Sequence, residues 1–397
     1  MTKLIDVCEF IVDCPHSTAQ DEGRGYPLIR TPNIGKGRFN LDGVHRVSES
    51  VYTKRNLRAT PQDNDLIFAR EAPAGNVAII KNGEKFCLGQ RTVLIRPNPK
   101  YVYPDFLTYF LLAPQQQYEL LGTANGATVA HVNLPTIRNL EINLPELEVQ
   151  HRIADILSAY DDLIENNRKQ IKLLEEVAQR LYKEWFVDLR FPGHEHTKIV
   201  DGVPEGWESC ILDDVIEFDP KVRLDKDRVK QCVPMSALST SSMVLDMNEI
   251  SETTSNSGSK FQNGDTLLAR ITPCLENGKT AFVHGIESDE GAVGSTEYIV
   301  MRSKQLNPYM VYLLSRTNGF RQSAINSMSG SDGRQRVKAD KLKSLAYLRP
   351  PIGLVHSFEQ KVAPVFGMVF TLNKQVFAAT QARDRLVPKL MSGKVEV

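Results

Sequence analysis

Residues 278–280 (GKT) are the segment of this chain whose types and spacing come nearest to phosphate chemistry. They resemble the end of a phosphate-binding loop, but such a loop needs a glycine where Pro273 stands and a helix after it. Residues 281–283 (AFV) are instead typical of a strand, and Asn277 followed by Gly278 favours a hairpin turn. The segment therefore predicts a turn and not a nucleotide site.

A second motif, residues 307–309 (NPY), resembles part of the N-P-P-Y signature of amino-methyltransferases. It lacks the second proline, and the corresponding segment in the first half of the chain is 103–105 (YPD). Pro104 and Pro308 each precede an apolar segment and suit the first turn of a helix. Both positions therefore predict helix starts.

Other catalytic and metal-binding patterns do not occur in the sequence. The cysteines at positions 8, 14, 87, 210, 232 and 274 have no C-x-x-C spacing, so we expect reduced thiols without a zinc site or disulfide. No G-x-S-x-G, H-E-x-x-H or Gly-rich dinucleotide motif is found. Asp161 and Asp162 fall on the outer face of a predicted helix, where we expect solvated carboxylates. We predict no catalytic residue, no metal and no cofactor in this chain, although an uncharacterised nuclease built from separated acidic residues stays open.

Charge is balanced over the whole chain, because Lys plus Arg and Asp plus Glu each number 48. Any DNA-binding surface must therefore be local. Three basic clusters lie in residues 24–58, 221–230 and 334–343. A charge cluster is usually a solvated face, but neutralisation of phosphates supplies much of the affinity for DNA. The candidate DNA-binding residues are Arg24, Arg30, Lys36, Arg38, Arg55, Arg58, Arg223, Lys226, Arg228, Arg334 and Arg336.

The two halves of the chain repeat each other in order. Residues 4–10 (LIDVCEF) recur as 212–218 (LDDVIEF), and 64–70 (NDLIFAR) recur as 264–270 (GDTLLAR). Later matches keep an offset of 205 residues (350 − 145 = 205). A repeat of this length is too long for a solenoid unit and indicates a duplicated domain with a helix after it.

Two domains that read different bases should share scaffold residues and differ where bases are contacted. The shared residues Asp65 with Asp265 and Arg70 with Arg270 are therefore expected to be structural or to face phosphates. The unmatched stretches 14–58 and 219–260 are expected to read bases, followed by the polar loops 122–131 and 327–336.

Apolar residues in alternating steps of four and three predict a long helix from Ile153 to Trp185. An equivalent series occurs 205 residues later (386 − 181 = 205). Mutual packing of the two helices as an antiparallel pair is favoured over packing of each helix on its own domain. The helix-pair residues are Ile153, Leu157, Ile164, Asn167, Ile171, Leu174, Leu181, Val369, Leu372, Val376 and Leu386.

Three residues modify the prediction for the helices. Pro364 and Gly367 weaken the beginning of the C-terminal helix, so its regular part is expected to start near Met368. Asn167 lies on the apolar series, where it either fixes the register of the pair or marks a solvated end.

The central helix and its flanks resemble a known family. Residues 166–186 (NNRKQIKLLEEVAQRLYKEWF) resemble the central conserved region of the specificity subunits of type I restriction-modification systems, and the match continues through 191–195 (FPGHE). Residues 204–207 (PEGW) resemble the opening of that family's second target-recognition domain, and 386–393 (LVPKLMSG) resemble its C-terminal end. With the duplication, the resemblance spans nearly the whole chain.

The resemblance implies a non-catalytic subunit that binds a bipartite double-stranded DNA target through two recognition domains. It implies assembly with two modification subunits, which bind S-adenosylmethionine and methylate adenine, and through them with restriction subunits that use ATP and Mg²⁺. A different class, a non-enzymatic coiled-coil scaffold with two protein-binding end domains, has its main support in the balanced charge. Because the N-terminus (MTKLIDVCEF) lacks the apolar core of a signal peptide, we expect a cytoplasmic protein without membrane contact.

The predicted fold class is α/β (α+β), with two target-recognition domains that are related by internal duplication and separated by two long antiparallel coiled-coil helices. The predicted boundaries are 1–145 for the first recognition domain, 146–190 for the central conserved helix, 191–207 for a linker, 208–350 for the second recognition domain and 351–397 for the C-terminal conserved helix.

Overall fold

The computed structural model describes residues 2–122, 131–288, 290–331 and 333–397. Its contacts divide the chain into two units, one made of Met1–Ile164 with Ala378–Val397 and the other of Glu165–Phe377. Each unit contains one mixed α/β domain and a portion of both long helices.

The domain of the first unit contains short strands and short helices. Its strands are β1 (Thr2–Lys3), β2 (Cys8–Asp13), β3 (Tyr26–Ile29), β4 (Arg46–Val47), β5 (Leu66–Ala69), β6 (Val77–Ile79), β7 (Cys87–Leu88), β8 (Thr92–Pro97) and β9 (Glu141–Ile142). Its helices are α1 (Glu49–Arg55), α2 (Pro104–Leu112), α3 (Pro114–Gly122) and α4 (Leu134–Arg138).

These strands form a four-stranded antiparallel sheet, in the order β2-β8-β5-β6, and a three-stranded sheet in the order β4-β3-β7. The first and last strands, β1 and β9, pair with each other. Side chains of the fully buried β5 alternate between two cores. Leu66 and Phe68 pack with Phe106 of α2, whereas Ile67 packs in the core that contains Ile29 of β3. Both faces of the four-stranded sheet are therefore covered.

The domain of the second unit repeats this order of elements. Its strands are β10 (Ile199–Val200), β11 (Val203–Pro204), β12 (Glu208–Ile211), β13 (Ile216–Phe218), β14 (Lys230–Val233), β15 (Ser251–Thr253), β16 (Ser259–Phe261), β17 (Thr266–Ala269), β18 (Thr280–Phe282), β19 (Ala292–Gly294), β20 (Tyr298–Ser303) and β21 (Ala346–Arg349). Its helices are α6 (Leu212–Val215), α7 (Pro308–Ser315), α8 (Asn318–Asn326) and α9 (Ala339–Lys343).

The sheets of the second unit match those of the first. The order β13-β20-β17-β18 repeats the four-stranded antiparallel sheet, and β12 pairs with β21 as β1 pairs with β9. The second sheet, β15-β14-β19-β16, keeps a central parallel pair, β14 with β19, as β3 is parallel to β7. Strand β16 is an addition, because the first domain has helix α1 after β4. The mixed fold class and the internal duplication are confirmed.

The two long helices are α5 (Leu147–Tyr182), followed by a π-helical turn at Lys183–Val187, and α10 (Ile352–Met391). In the first unit, Ile153 and Leu157 of α5 pack with Val387 and Leu390 of α10. An early segment of α5 thus meets a late segment of α10, which makes the pair antiparallel within this unit.

The pair is also antiparallel within the second unit, where the Asn167 amide of α5 donates to Gln375 Oε1 of α10 at 3.0 Å. The side chain of Trp185 contacts Phe358, near the beginning of α10. Of the predicted helix-pair residues, Leu174, Leu181 and Leu386 are partly exposed and the others are buried, namely Ile153, Leu157, Ile164, Asn167, Ile171, Val369, Leu372 and Val376.

The prediction that regular helix begins near Met368 is wrong, because α10 is helical from Ile352. Val362 and Phe366, on either side of Pro364 in the chain, are fully buried, whereas Pro364 itself is exposed. Packing of the apolar face therefore outweighs the weak helix propensity of this segment.

Helix α10 also has the length and apolar composition of a membrane span, with a mean hydropathy of 1.3 in its most apolar window. Its apolar residues include Val369 and Val376 in one unit and Val387 and Leu390 in the other, and all four are buried in the protein. Of the most apolar window, 39% is buried inside the protein, and one helix of this length and composition is weak evidence for a membrane span.

Candidate nucleic-acid interface

In each domain a long loop joins the first strand of the four-stranded sheet to a strand of the second sheet. Residues 14–25 lead from β2 to β3, and residues 219–229 lead from β13 to β14. We name these segments the inter-sheet loops. Four predicted DNA-binding residues lie in them and are exposed, namely Arg24, Arg223, Lys226 and Arg228.

Most of these cations have no partner that would compete with a phosphate. Arg24, Arg223 and Lys226 form no ion pair with another described residue. Arg228 is different, because its guanidinium lies 3.0 Å from a carboxylate oxygen of Glu290. Within residues 219–229, four Lys and Arg residues stand against three Asp residues, so the second inter-sheet loop has a small excess of positive charge (4 − 3 = +1) on a chain that is neutral overall.

The DNA-binding candidates in residues 30–58 have different environments. Lys36 is exposed and Arg30 is half-buried. Arg38 is half-buried and donates to the Asp162 carboxylate of α5 at 2.9 Å. Arg58 is exposed and donates to the Asp13 carbonyl at 3.2 Å.

The prediction that Arg55 contacts DNA is wrong as stated, because its side chain points into the domain. The residue is 6% exposed. Its guanidinium donates to the carbonyl of Leu88 at 2.9 Å and to the carbonyl of Ser17 at 2.8 Å. Sequence order places Arg55 in a basic cluster, but the turn of α1 directs it away from solvent, towards β7.

Arg334 and Arg336 precede α9 in the second domain. Arg334 is exposed, whereas Arg336 donates two hydrogen bonds to the Glu297 carboxylate, at 2.9 and 2.7 Å. These bonds from Arg336 hold the pKa of Glu297 below its ordinary value. The equivalent residue of the first domain is His131 (336 − 131 = 205), which contacts Glu71 at 2.6 Å. The two domains therefore place different side chains at the same point of the fold.

Of the polar loops predicted to read bases, residues 123–130 and residue 332 lie outside the described residues. Among the residues that the structure describes, no group of three His, Cys, Asp or Glu side chains is close enough to hold a metal ion.

Asp65 and Asp265, the acidic residues shared by the two halves, have the same structural position. Each is 1% exposed and forms a two-point ion pair with an arginine of the neighbouring strand. Asp65 accepts from Arg96 at 2.8 and 2.7 Å, and Asp265 accepts from Arg302 at 2.7 Å on both oxygens. In both domains this pair fixes the register of the central strands.

Arg70 also has internal partners. It donates to the Val132 carbonyl and to the Asp13 carboxylate, both at 2.9 Å. The backbone N–H of Val132 donates in turn to the Arg70 carbonyl, and Val337 donates to Arg270 in the same way. Arg70 and Arg270 therefore anchor the segment that enters α4 or α9.

The expectation that Asp161 and Asp162 are both solvated is wrong for Asp161, which is 4% exposed. Its carboxylate accepts from Tyr109 Oη of α2 at 2.6 Å and from Arg383 of α10 at 2.5 Å. Burial, followed by the charge of Asp161, raises the pKa of Tyr109 well above its ordinary range, so the phenol stays protonated and donates. This polar network joins the first domain to both long helices.

The second domain makes the equivalent contact with aromatic side chains. The residue 205 positions after Asp161 is Phe366 (366 − 161 = 205), which is fully buried. Its ring packs on Tyr309 of α7, at a centroid distance of 4.7 Å, and on Phe282 of β18, at 5.3 Å. The sequence signal for the burial of Asp161 was therefore its repeat counterpart, because Phe366 is a large apolar residue.

A half-buried carboxylate adds a polar contact between α5 and the second domain. Glu175 accepts from Ser242 Oγ at 2.6 Å and from the Met243 backbone N–H at 2.9 Å. Burial raises the pKa of Glu175, although these hydrogen bonds and the nearby Arg316 act in the opposite direction.

Comparison with protein-family models places the first part of this chain. Residues 1–176 match the model described as "Type I restriction modification DNA specificity domain".

Two curated relatives align with most of the chain. The type I restriction enzyme MjaIX specificity subunit of Methanocaldococcus jannaschii is 26% identical over 373 residues, which cover 89% of this chain and 83% of the relative. The HindI specificity subunit of Haemophilus influenzae is 19% identical over 397 residues, covering 83% of this chain and 86% of the relative.

A solved structure has the same fold. The crystal structure of the type I restriction-modification S subunit from M. genitalium aligns with a TM-score of 0.56 at 14% sequence identity, over 98% of this chain and 95% of that one.

Proposed function

We propose that this chain, which is similar to the specificity subunits of type I restriction-modification systems, is such a subunit and that its two domains bind the two halves of a divided DNA target. The duplication is the observation that carries this proposal. The domains share their sheet order and the buried pairs of Asp65 and Asp265, but their inter-sheet loops differ in sequence and in charge. A common scaffold with different exposed side chains suits two readers of different base sequences.

The charge distribution supports DNA as the ligand. Contacts to phosphate supply most of the non-specific affinity of a DNA-binding protein, and they require cations that are exposed and not already paired. Arg24, Lys36, Arg223, Lys226 and Arg334 meet both conditions among the described residues. We retain these five as phosphate or base contacts, with Arg30 and Arg58 as weaker candidates.

Within the proposal, the chain is the specificity component of its complex and is not itself catalytic, as its similarity to specificity subunits suggests. Specificity subunits of this kind bind DNA and assemble with other subunits. Within the proposal, two modification subunits hold S-adenosylmethionine, and restriction subunits hold ATP and Mg²⁺ in the cytoplasm. Exposed apolar side chains on α5 support the docking of partner subunits, namely Leu147, Ile156, Leu163, Leu173 and Val177.

The alternative is a coiled-coil scaffold whose two domains bind proteins. The balanced charge favours it, whereas the unpaired cations of the second inter-sheet loop favour DNA. Sequence-selective DNA binding that weakens steeply with salt would exclude the scaffold.

The direct test is an exchange of one domain within the complete complex. Residues 2–143 are replaced by those of a relative with a different target, and methylated sites are read by sequencing. We expect one half of the target to change and the other half to persist. The matched control replaces residues 208–350 and should change only the other half. A change of both halves, or of neither, in both chimaeras would refute the proposal.

A further inference from the structure

Among the residues that the structure describes, each domain buries one cation that has no acidic partner. Arg55 is 6% exposed and Lys230 is 5% exposed, and neither forms an ion pair with a described residue. Burial of a charge is unfavourable unless partners compensate it, and buried cations are usually paired with carboxylates. The hydrogen bonds of these two residues go instead to uncharged acceptors, which are carbonyl, hydroxyl and amide oxygens and, for Arg55, also the Cys87 thiol.

In the first domain, the cation fastens the inter-sheet loop of residues 14–25. The Arg55 guanidinium donates to the Ser17 carbonyl at 2.8 Å, to Ser17 Oγ at 3.1 Å and to the Pro15 carbonyl at 3.4 Å. A further bond to the Leu88 carbonyl at 2.9 Å fixes the same side chain to β7. The loop is thereby tied to the second sheet, while residues 16–18 stay exposed.

In the second domain, Lys230 fastens the inter-sheet loop of residues 219–229, but it lies on a strand and not on a helix. As the first residue of β14, it donates to the Asp225 carbonyl of the inter-sheet loop at 2.8 Å. It also donates to the Thr254 carbonyl at 3.2 Å and to Asn256 Oδ1 at 2.6 Å. The Asn256 amide donates to the Leu224 carbonyl at 3.2 Å. The basic loop 219–229 is thus fastened to the polar segment between β15 and β16.

Stability alone does not account for this arrangement. A neutral side chain would avoid the desolvation of a charge, whereas a cation forms stronger, charge-assisted hydrogen bonds to several carbonyls at once. Departures from the usual rules of burial concentrate at functional sites.

We propose that the inter-sheet loops are the base-reading segments of the two domains and that Arg55 and Lys230 are the positioning residues that hold them. This inference rests on the proposed function and adds to it the segments that determine specificity. The loops differ in chemistry. The first contains Arg24 together with Asp21, Glu22 and uncharged polar side chains, whereas the second offers Arg223, Lys226 and Arg228, whose guanidinium and ammonium groups suit guanine edges.

The test replaces each buried cation by a neutral side chain of similar length, as Arg55→Met and Lys230→Met, in the full chain assembled with its modification subunit. Methylation is measured on duplex libraries in which one half-site at a time is randomised. We expect Arg55→Met to reduce base discrimination about tenfold in the half-site of the first domain, as for the loss of one good base contact, and to leave the other half-site unchanged. Lys230→Met should give the mirror result.

Two further readouts separate positioning from other roles. The salt dependence of DNA binding should keep its slope, because neither buried cation contacts a phosphate. The conservative variants Arg55→Lys and Lys230→Arg should recover most of the discrimination. Matched controls are Lys3→Met and Lys304→Met, which remove exposed cations. Lys3 donates to Asn139 Oδ1, whereas Lys304 donates to the Asp213 carbonyl and lies 4.0 Å from the Asp213 carboxylate. Both controls should retain wild-type discrimination.

The outcomes distinguish this inference from the proposed function. A wild-type complex without base preference in either half-site would refute the proposed function. A wild-type complex that reads both half-sites, while folded Met variants keep full discrimination, would overturn the inference alone. If the Met variants do not fold, Ser17→Ala and Asn256→Ala each remove one acceptor of a buried cation. A domain-specific loss of about threefold, part of the effect of one base contact, then supports the inference, and unchanged discrimination contradicts it.

Discussion

At the residue scale, the two domains meet the long helices through different chemistry at equivalent positions. Asp161 is held by Tyr109 and Arg383, whereas Phe366 lies among aromatic rings. A buried ion pair contributes little net stability relative to apolar packing, but loss of one partner leaves an uncompensated charge. The first domain is therefore expected to be more sensitive to single substitutions at this contact.

We expect Asp161→Ala to lower the free energy of unfolding by about 3 kcal/mol, because Arg383 and Tyr109 lose their buried acceptor. Urea-induced unfolding followed by circular dichroism measures the change. The neighbouring Asp162→Ala is the matched control and should cost less than about 1 kcal/mol, since its ion pair with Arg38 is exposed on the carboxylate side. An equal loss of unfolding free energy in the two variants would contradict a special contribution of the buried Asp161 network.

Glu175 gives a prediction with a defined pH dependence. Because burial raises its pKa in the folded chain, the folded state binds this proton more tightly than the unfolded state does. Stability should therefore increase as pH falls from above the raised pKa towards the ordinary value near 4.5. Glu175→Gln keeps an oxygen that can accept from Ser242 and removes the titration.

Thermal unfolding of wild type and Glu175→Gln between neutral and mildly acidic pH tests this expectation. The variant should be the more stable chain at neutral pH, and the difference should shrink on acidification. Glu176→Gln, on the outer face of the helix beside Arg180, serves as the control and should show no such trend. A constant difference for Glu175→Gln across this range would argue against a raised pKa.

At the element scale, the long helices are the feature that the sequence predicts best. Their apolar spacing is a local pattern, so α5 and α10 can be identified without knowledge of any distant contact. The duplication adds the equivalence of the two domains. Pro364 is misleading because helix propensity is weak compared with the packing of Val362 and Phe366.

The buried polar residues could not be predicted in the same way. Asp161 lies 222 residues before its partner Arg383, and Arg55 lies 33 residues before Leu88. Their burial depends on which elements meet in space, and residue type alone assigns charged residues to the surface. The residues that contact bases cannot be predicted from the sequence either, because contacts in a groove depend on the direction of each side chain.

We expect the helix pair to set the spacing of the two half-sites. Seven residues inserted after Asn167 and seven inserted before Gln375 would lengthen both helices and preserve the pairings on either side. The extension is about 10 Å, comparable to roughly three base pairs of duplex. Such a variant should recognise the same half-sites across a longer spacer, or lose tight binding while it remains folded, because the rotational phase on DNA also changes.

Binding and methylation on a library with fixed half-sites and variable spacers provides the measurement. Insertion of seven residues in α5 alone is the control and should disrupt the pairing of the helices. Unchanged affinity together with unchanged spacer preference in the double insertion would show that the helices do not set this distance.

At the scale of the whole molecule, we expect the purified chain to bind DNA without modifying it. It should neither methylate nor cleave DNA when incubated with S-adenosylmethionine, ATP and Mg²⁺, and addition of its modification subunit should create methyltransferase activity. Incorporation of labelled methyl groups into duplex DNA is the assay, and the modification subunit without this chain is the control. Robust methyl transfer by the chain alone would contradict its assignment as the non-catalytic component.

The pairing of β1 with β9, and of β12 with β21, has a consequence for the genes of this family. In each domain the first and last strands are adjacent and antiparallel. Thr2 pairs with Ile142 in the first domain, and Glu208 pairs with Arg349 in the second. Homologous recombination that joins two alleles near these codons would therefore replace a whole recognition domain, with its junctions at adjacent strands. New combinations of half-sites would then arise from existing domains, with the fold of each exchanged domain kept whole.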